Sequence, residues 1–231
     1  MNDHESIKSV LQDWKIIQGS KLERLGNDYD SERRKRRISK NAAYSVCFSL
    51  TMKSGNSWFI FMSKAPSLSR YKDIRSVNLM AVAYYHAPDG LRAVKLNLSG
   101  LMTVFTWQVF SSYNEKAGLN LTEPEDIVED FFHTNGYFES RLTDNAGSTS
   151  TLSICRSGML PGEMQPDGWI MAKDFISRDE ASQEQKETEE EILKTLQKDI
   201  EDELNKPDTD RDHYNFLTDL MKGISPDKRR D

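Results

Sequence analysis

The chain has 231 residues, of which 37% are hydrophobic and 29% are charged, and its formal net charge is −6. This length suits one compact domain with appendages or two small domains. The negative charge argues against attraction of nucleic acid to the whole surface, although a local basic patch is compatible with it. Its two cysteines, Cys47 and Cys155, are too few for a disulfide framework and are expected to be buried free thiols.

The opening segment, MNDHESIKSVLQDW, has no basic stretch followed by an apolar run. We therefore expect no secretory signal peptide. No apolar run approaches the ~20 residues that a helix needs to span a bilayer. Together these features predict a soluble, cytoplasmic protein without a membrane segment.

The first 40 residues are predicted to form a helical, basic arm. Apolar residues recur there at mostly helical spacing: Ile7, Val10, Leu11, Trp14, Ile17, Leu22 and Leu25. The run SERRKRRISK follows at 31–40. Such a run forms a solvated helix face, or it binds phosphate or an acidic partner. Its candidate contacts to nucleic acid or phosphate are Arg33, Arg34, Arg36 and Arg37.

From Ala43 onward the pattern changes to strands. YSVCFSLTM and SWFIFM flank a KSGN turn and predict a hairpin. A loop or short helix is expected at 65–76. VNLMAVAYYH and LRAVKLNL then flank APDG and predict a second hairpin. A short apolar run follows at 101–105, and three more strands are expected at about 137–143, 149–156 and 168–176.

Two helices are predicted within FTWQVFSSYNEKAGLNLTEPEDIVEDFF at 105–132. The inward stripe of the first helix comprises Val109, Phe110, Tyr113 and Ala117, and Gly118 supplies its C-terminal cap. In the second helix, Thr122 followed by Glu125 matches a capping box, with Pro124 in the first turn. Its apolar face comprises Ile127, Val128, Phe131 and Phe132.

The segment SGMLPGEMQPDG at 157–168 contains two prolines and three glycines. We expect an ordinary irregular surface loop there, or a loop that covers a cleft. Residues 179–206 then contain eleven acids and four lysines. A thin apolar seam within them, Leu193, Leu196, Ile200 and Leu204, predicts an amphipathic helix. Its acidic flank is expected to pair with the basic N-terminal run, within the chain or between two chains. A shorter helix is predicted at 208–223.

These elements together predict an α+β fold. We expect an antiparallel sheet of about six or seven strands with packed helices, and helical arms at both ends. The expected organisation is a helical, basic arm at 1–40, a core domain at 41–177 and a charged helical arm at 178–231.

Few residues are arranged for recognised chemistry. The sequence has no phosphate-binding loop, and none of its four histidines has another ligand at metal-binding spacing on one element, so neither a metal nor another cofactor is expected. His86 and Asp89 lie near one hairpin tip and would form a general-base pair if they converged, although a hairpin tip excludes water poorly. Arg141 and Arg156 on late strands are candidates to hold a phosphate or carboxylate, or they point outward.

The first helix of the 105–132 segment contains a suggestive order of residues: Thr106, Gln108, Ser112, Tyr113, Glu115 and Lys116. Residues 105–176 resemble bacterial and phage ribonuclease-like toxins of the barnase–EndoU–colicin–RelE group. In many of these families a helix begins T-x-H-x-x-x-R-Y-x-E-R, and a second helix and a small antiparallel sheet follow. Thr106, Tyr113 and Glu115 agree with that pattern. The expected histidine and the two expected arginines are replaced by Gln108, Ser112 and Lys116.

The resemblance implies metal-free RNA cleavage, which needs a base, an acid and cations near the phosphate. Under it, Glu115 acts as the base, Lys116 as a cation and Tyr113 as a proton donor, with His86 as a further catalytic candidate. Gln108 does not exchange a proton near neutral pH, and Ser112 carries no charge. The site is therefore expected to be degenerate, or the polar row is only the outer face of an amphipathic helix.

Three functions remain as hypotheses. The favoured one is an interaction protein whose charged helical arms bind a protein partner or a second copy of the chain. The second is an active metal-independent ribonuclease or toxin-like enzyme. The third is a catalytically silent relative that binds RNA or a toxin partner. The absence of a complete catalytic motif favours a protein that is not an enzyme.

Overall fold

The computed structural model of the chain describes residues 3–38, 44–64, 78–96, 102–145 and 148–204. The chain divides into two compact units, Met1–Val104 and Phe105–Asp231. Five helices and ten strands are present in the described ranges. They confirm an α+β fold with antiparallel strands, but the predicted number of six or seven strands is too low. The loop predicted at 65–76 and the helix predicted at 208–223 lie outside the described residues.

The first unit consists of two helices and a sheet built from two hairpins. Its elements are α1 (Asp3–Ser20), α2 (Leu22–Lys35), β1 (Tyr44–Thr51), β2 (Ser57–Lys64), β3 (Asn78–Ala87) and β4 (Gly90–Leu96). These four strands lie side by side in chain order, and each pairs antiparallel with the next. Both predicted hairpins are therefore confirmed.

The helix α1 packs its apolar side against this sheet. Val10 and Ile17 are buried, and the ring of Trp14 stacks on that of Trp58 with centroids 5.8 Å apart. Leu11 was predicted to belong to the same stripe, but it is 36% exposed. The helix α2 is anchored in turn by Leu25 and by Tyr29, which is buried. The apolar side of the N-terminal helices is thus occupied within their own unit, and their polar sides face solvent.

The second unit begins at the end of β5 (Met102–Phe105), because the boundary falls after Val104. Its further elements are α3 (Trp107–Lys116), α4 (Pro124–Thr134), β6 (Glu139–Asn145), β7 (Ser148–Ile154), β8 (Gly158–Met164), β9 (Ile170–Ala172), β10 (Ile176–Ser177) and α5 (Gln183–Leu204). Four of its strands lie in the order β9-β8-β7-β6, and β10 pairs with β8.

The helices α3 and α4 share an aromatic core. The rings of Phe105, Phe110, Phe131 and Phe132 are buried and mostly meet edge to face or tilted, the arrangement that aromatic quadrupoles favour. The two predicted apolar faces are confirmed apart from Ala117, which is exposed because α3 ends at Lys116. Gly118 follows with φ +64°, as its predicted capping role requires.

The predicted start of α4 needs one correction. Pro124 occupies the first turn as expected, but the residue at the N-cap is Glu123, and its side chain makes no capping hydrogen bond. The prediction of a capping box formed by Thr122 and Glu125 is therefore wrong. A reciprocal capping box occurs instead at α5, where Ser182 Oγ accepts from Gln185 N at 3.2 Å and Ser182 N donates to Gln185 Oε1 at 2.9 Å.

The prediction of an irregular loop at 157–168 is also wrong for most of that segment, because residues 158–164 form β8. This strand pairs with β7 on one side and with β9 and β10 on the other. Its glycines explain how it fits. A β-carbon at Gly158 would lie 2.7 Å from Cζ of Phe175, and one at Gly162 would lie 2.8 Å from Oγ1 of Thr151. The glycines that suggested a loop are what allow close neighbours.

The first half of α5 packs on its own unit. Ile192 and Leu196 are 5% and 3% exposed, and they join a cluster with Ile154, Met159 and Ala181. Leu193, which was predicted in the seam, is only partly buried at its edge. The seam is therefore rotated by about one residue from the prediction. The side chains of Ile200 and Leu204 lie outside the described set.

Two further expectations concern thiols and membranes. Both cysteines are free: Cys155 is buried and Cys47 is half-buried. Burial raises the pKa of the Cys155 thiol to about 11. Within the described ranges, no helix combines the length and apolarity that a bilayer span requires.

Candidate functional site

The polar row on α3 makes contacts inside the second unit. Gln108 Nε2 donates to Ser112 Oγ at 3.0 Å, and Ser112 Oγ donates to Asp174 Oδ1 at 2.6 Å. One turn further along, Lys116 Nζ donates to the carbonyl oxygen of Phe175 at 2.9 Å and pairs with Glu180 at 2.8 Å. The row predicted as a degenerate catalytic site therefore binds another part of the chain.

That part is the connecting segment, which we define as residues 172–180. Its start is held by Thr106, whose amide donates to the Ala172 carbonyl at 3.1 Å and whose hydroxyl donates to the Lys173 carbonyl at 3.0 Å. Its middle is held by Phe175, which is buried against the ring of Tyr113. The connecting segment is thus fixed along α3 and leads directly to α5.

Tyr113 is an interior residue. It is 2% exposed, and its hydroxyl donates to Asp130 Oδ2 at 2.8 Å. Burial, reinforced by the Asp130 carboxylate, raises the pKa of Tyr113 to about 12. Glu115, the predicted base, lies exposed two residues further along the helix. Its neighbour Lys116 holds the connecting segment, so its ammonium group already has carbonyl and carboxylate acceptors.

The other catalytic candidate, His86, lies in the first unit near the end of β3, where it is exposed. The predicted partner of its imidazole, Asp89, accepts a hydrogen bond from Arg92 at 2.8 Å. That hydrogen bond lowers the pKa of Asp89 below its ordinary value. Arg92 also binds Asp3 at the start of α1. Asp89 therefore takes part in a contact that ties α1 to the β3–β4 hairpin.

The two predicted phosphate-binding arginines of the late strands have different surroundings. Arg141, on β6, forms an ion pair with Glu191 of α5. Arg156 has an exposed side chain, and its carbonyl oxygen accepts from Arg178 at 2.7 Å. Arg178 also pairs with Glu189 at 2.8 Å, so it links the β7–β8 turn to α5. Sequence reasoning missed Arg178, because nothing local marks it as a link between distant elements.

The basic run ends α2 and continues one turn beyond it. Arg33 is withdrawn from the surface and pairs with Asp30 at 3.2 Å. The next four residues, Arg34, Lys35, Arg36 and Arg37, are exposed, and we call them the basic end of α2. Lys35 pairs with Glu32 at 2.7 Å, and the Arg36 guanidinium lies 5.9 Å from the centroid of the Tyr44 ring. Cations at a helix C-terminus are favoured by the helix dipole.

The first half of α5 has the opposite charge. Four of its glutamates, Glu184, Glu187, Glu190 and Glu191, are exposed, and we call them the acidic half of α5. Glu189 faces inward to Arg178 and is only 12% exposed. Of these four, Glu184 lies in the first turn of the helix, where the dipole favours a carboxylate.

A buried polar cluster that sequence reasoning missed lies in the first unit. Asp13 accepts from Ser54 Oγ at 2.5 Å and from Asn56 Nδ2 at 2.7 Å, and so ties α1 to the β1–β2 turn. The available signal was its position, three residues after Val10 and four before Ile17, which places a carboxylate on the apolar side of α1. The two hydrogen bonds satisfy a buried carboxyl group and join α1 to the turn.

An open depression lies beside α4. It is lined by Leu121, Asp126, Glu129, Asp130 and His133. His133 is exposed in the last turn of the helix. Across the residues that the structure describes, no group of three or more histidine, cysteine or acidic side chains is placed to hold a metal ion.

No protein-family model, curated protein or solved structure matches the chain. The resemblance to ribonuclease-like toxins therefore stays a prediction. The contacts and charges of the side chains themselves are what bear on function.

Proposed function

We propose that the protein is a non-catalytic interaction protein that binds a partner through the exposed charges of α2 and α5. The proposal is supported by a difference between two sets of polar side chains: one makes contacts inside its unit, and the other is exposed to solvent. The row on α3 that would carry chemistry is engaged inside the unit by the connecting segment. The basic end of α2 and the acidic half of α5 face solvent.

Each charged surface stands on a well-anchored helix. The helix α2 is fixed by buried Leu25 and Tyr29, and α5 is fixed by buried Ile192 and Leu196. Anchoring reduces the conformational entropy that a partner must remove on binding. Charges held on a rigid surface steer encounter and select partners of opposite charge, with a strong dependence on ionic strength.

Capture from an extract of the source cells tests the proposal. Immobilised wild-type protein is compared with a variant containing Glu187→Lys and Glu190→Lys. We expect wild type to retain one or more polypeptides that the variant does not retain. Retention should fall near about 1 M salt, where the Debye length is about 3 Å.

The matched control contains Glu123→Lys and Asp167→Lys. Both residues are exposed and lie outside α2 and α5, and the net charge changes equally. The control should retain the same polypeptides as wild type. Identical capture by wild type and by the Glu187/Glu190 variant would refute a role for the acidic half of α5.

The ribonuclease-like alternative has a separate assay. Purified protein is incubated with total RNA, and wild type is compared with Glu115→Ala. The interaction proposal expects no cleavage that depends on Glu115. Cleavage that disappears in the substituted protein would favour an enzyme instead, with Glu115 as its base.

A further inference from the structure

We infer that the partner is a second copy of this chain, with the basic end of α2 in one copy facing the acidic half of α5 in the other. This inference rests on the proposed function and names its partner. The chain itself contains both members of a complementary pair of surfaces, with four exposed cations in one and four exposed glutamates, together with the exposed Lys186, in the other.

Much of the charge on these surfaces is left unbalanced within the unit that holds it. In the basic end, Arg34 and Arg37 form no ion pair with any described residue, and Lys35 is the member paired with a carboxylate. In the acidic half, Glu191 binds Arg141, whereas Glu190 reaches Lys194 only at 3.9 Å in an exposed position. An exposed i,i+4 pair of this kind contributes little, so Glu190 remains available for a stronger partner.

Two-fold symmetry favours a second copy of the chain over an unrelated protein as the binding partner. In a two-fold dimer, the α2–α5 contact occurs twice, because each copy contributes one basic and one acidic surface. The arrangement closes on itself and leaves neither surface exposed for a third copy. It also lets a chain with a net charge of −6 associate locally through attraction, despite overall repulsion.

The molar mass in solution tests the inference, measured by light scattering on a sizing column and by sedimentation. We expect wild type to be a dimer at low ionic strength and a monomer near about 1 M salt. Variant A contains Arg34→Glu and Arg37→Glu, and variant B contains Glu187→Lys and Glu190→Lys. For each variant alone, the dissociation constant of the dimer should be about tenfold or more higher than for wild type. The reason is that two substituted residues in each of the two contacts then face residues of the same charge.

Mixing the two variants gives the decisive result. In an A–B heterodimer, one α2–α5 contact keeps the wild-type charges. In the other, the two glutamates introduced in α2 of variant A face the two lysines introduced in α5 of variant B, so both contacts are attractive at the substituted positions. We expect the dimer mass to return on mixing. Circular dichroism and thermal midpoints establish that both variants are folded. A variant that is not folded is replaced by its glutamine version in the dissociation measurement, where it too should dissociate more readily than wild type.

Three outcomes overturn the inference. The first is wild type that is a monomer at low ionic strength, and the second is a dimer that survives in both variants. The third is a mixture of A and B that stays monomeric. In each case, capture of a different polypeptide by the acidic half of α5 would leave the proposed function standing.

Discussion

The close approach of strands around Gly162 gives the sharpest prediction of stability. Gly162 lies in β8 opposite Thr151 of β7 and Ala172 of β9. In Gly162→Ala, the new β-carbon would collide with the carbonyl oxygen of Met171 and lie 2.8 Å from the Thr151 hydroxyl oxygen. A threonine side chain can rotate away from such a contact. The Met171 carbonyl belongs to the backbone of β9, so relief requires the strands to separate.

The expected cost follows from the cost of overpacking. Inserting a methyl group into a packed site typically destabilises a protein by about 1–3 kcal/mol. Alanine also restricts the unfolded chain more than glycine does, which offsets about 0.4–1 kcal/mol. We therefore expect Gly162→Ala to lower the free energy of unfolding by about 1–2 kcal/mol. That loss corresponds to a fall of roughly 3–10 °C in the thermal midpoint.

Gly26→Ala is the matched control. Gly26 lies inside α2, and a β-carbon there meets no heavy atom within 4 Å. Alanine is more favourable than glycine in a helix interior by about 1 kcal/mol, so this variant should be more stable than wild type. Thermal and urea unfolding, followed by circular dichroism and by tryptophan fluorescence, measure both variants. A midpoint for Gly162→Ala equal to or above that of wild type would refute the steric argument.

Three further predictions concern the contacts that hold the second unit together. Ser182→Ala removes the capping box of α5 and should destabilise the start of that helix by about 1 kcal/mol. Hydrogen exchange of the backbone amides in its first turns should become faster. Ser112→Ala should cost about 1–2 kcal/mol and increase proteolysis of the connecting segment, because Asp174 loses its hydroxyl donor, whereas Ser111→Ala should have little effect. Tyr113 ionises near pH 10 when unfolded but at about 12 when folded, so its contribution to stability is present below pH 10 and is lost as the pH rises toward 12. Denaturant midpoints of wild type and Tyr113→Phe should therefore converge in that range, and parallel curves would contradict the assignment.

Periodicity predicted the elements whose environment repeats along the chain. It predicted both hairpins of the first unit and the buried faces of α3 and α4, because one side of each element packs against the core and the other side is exposed to solvent. The seam of α5 was shifted by about one residue, because Leu193 and Ile192 both lie beside Leu196 on the helix surface. Only packing decides which of the two is buried.

Composition was misleading at β8. Prolines and glycines normally mark turns, and GMLPGEM contains three of them in seven residues. Here Pro161 still offers a carbonyl oxygen, which accepts from Lys173 N at 2.9 Å, and the glycines admit neighbouring backbone and side chains. A glycine required by a close neighbour looks the same in a sequence as a glycine required by a turn.

In the candidate site too, the sequence predicted which residues share a face but not which distant residues contact them. The helical spacing correctly placed Gln108, Ser112 and Lys116 on one side of α3. It did not predict that the connecting segment, some sixty residues later, would lie along that side and accept hydrogen bonds from Ser112 and Lys116. Asp174 follows Lys173 in an ordinary charged pair of residues, so no local signal marks it as the acceptor for Ser112.

The α3 row also affects the surface that we propose for binding. From Ser112 and Lys116 the contacts pass to Asp174 and Glu180, and the next turn of chain enters the capping box of α5. Arg178 then ties α5 back to the β7–β8 turn. Because these contacts fix where α5 begins, they also fix the position of its acidic half. Ser112 and Lys116 thus have a structural role, because they hold the connecting segment that leads into the acidic half of α5.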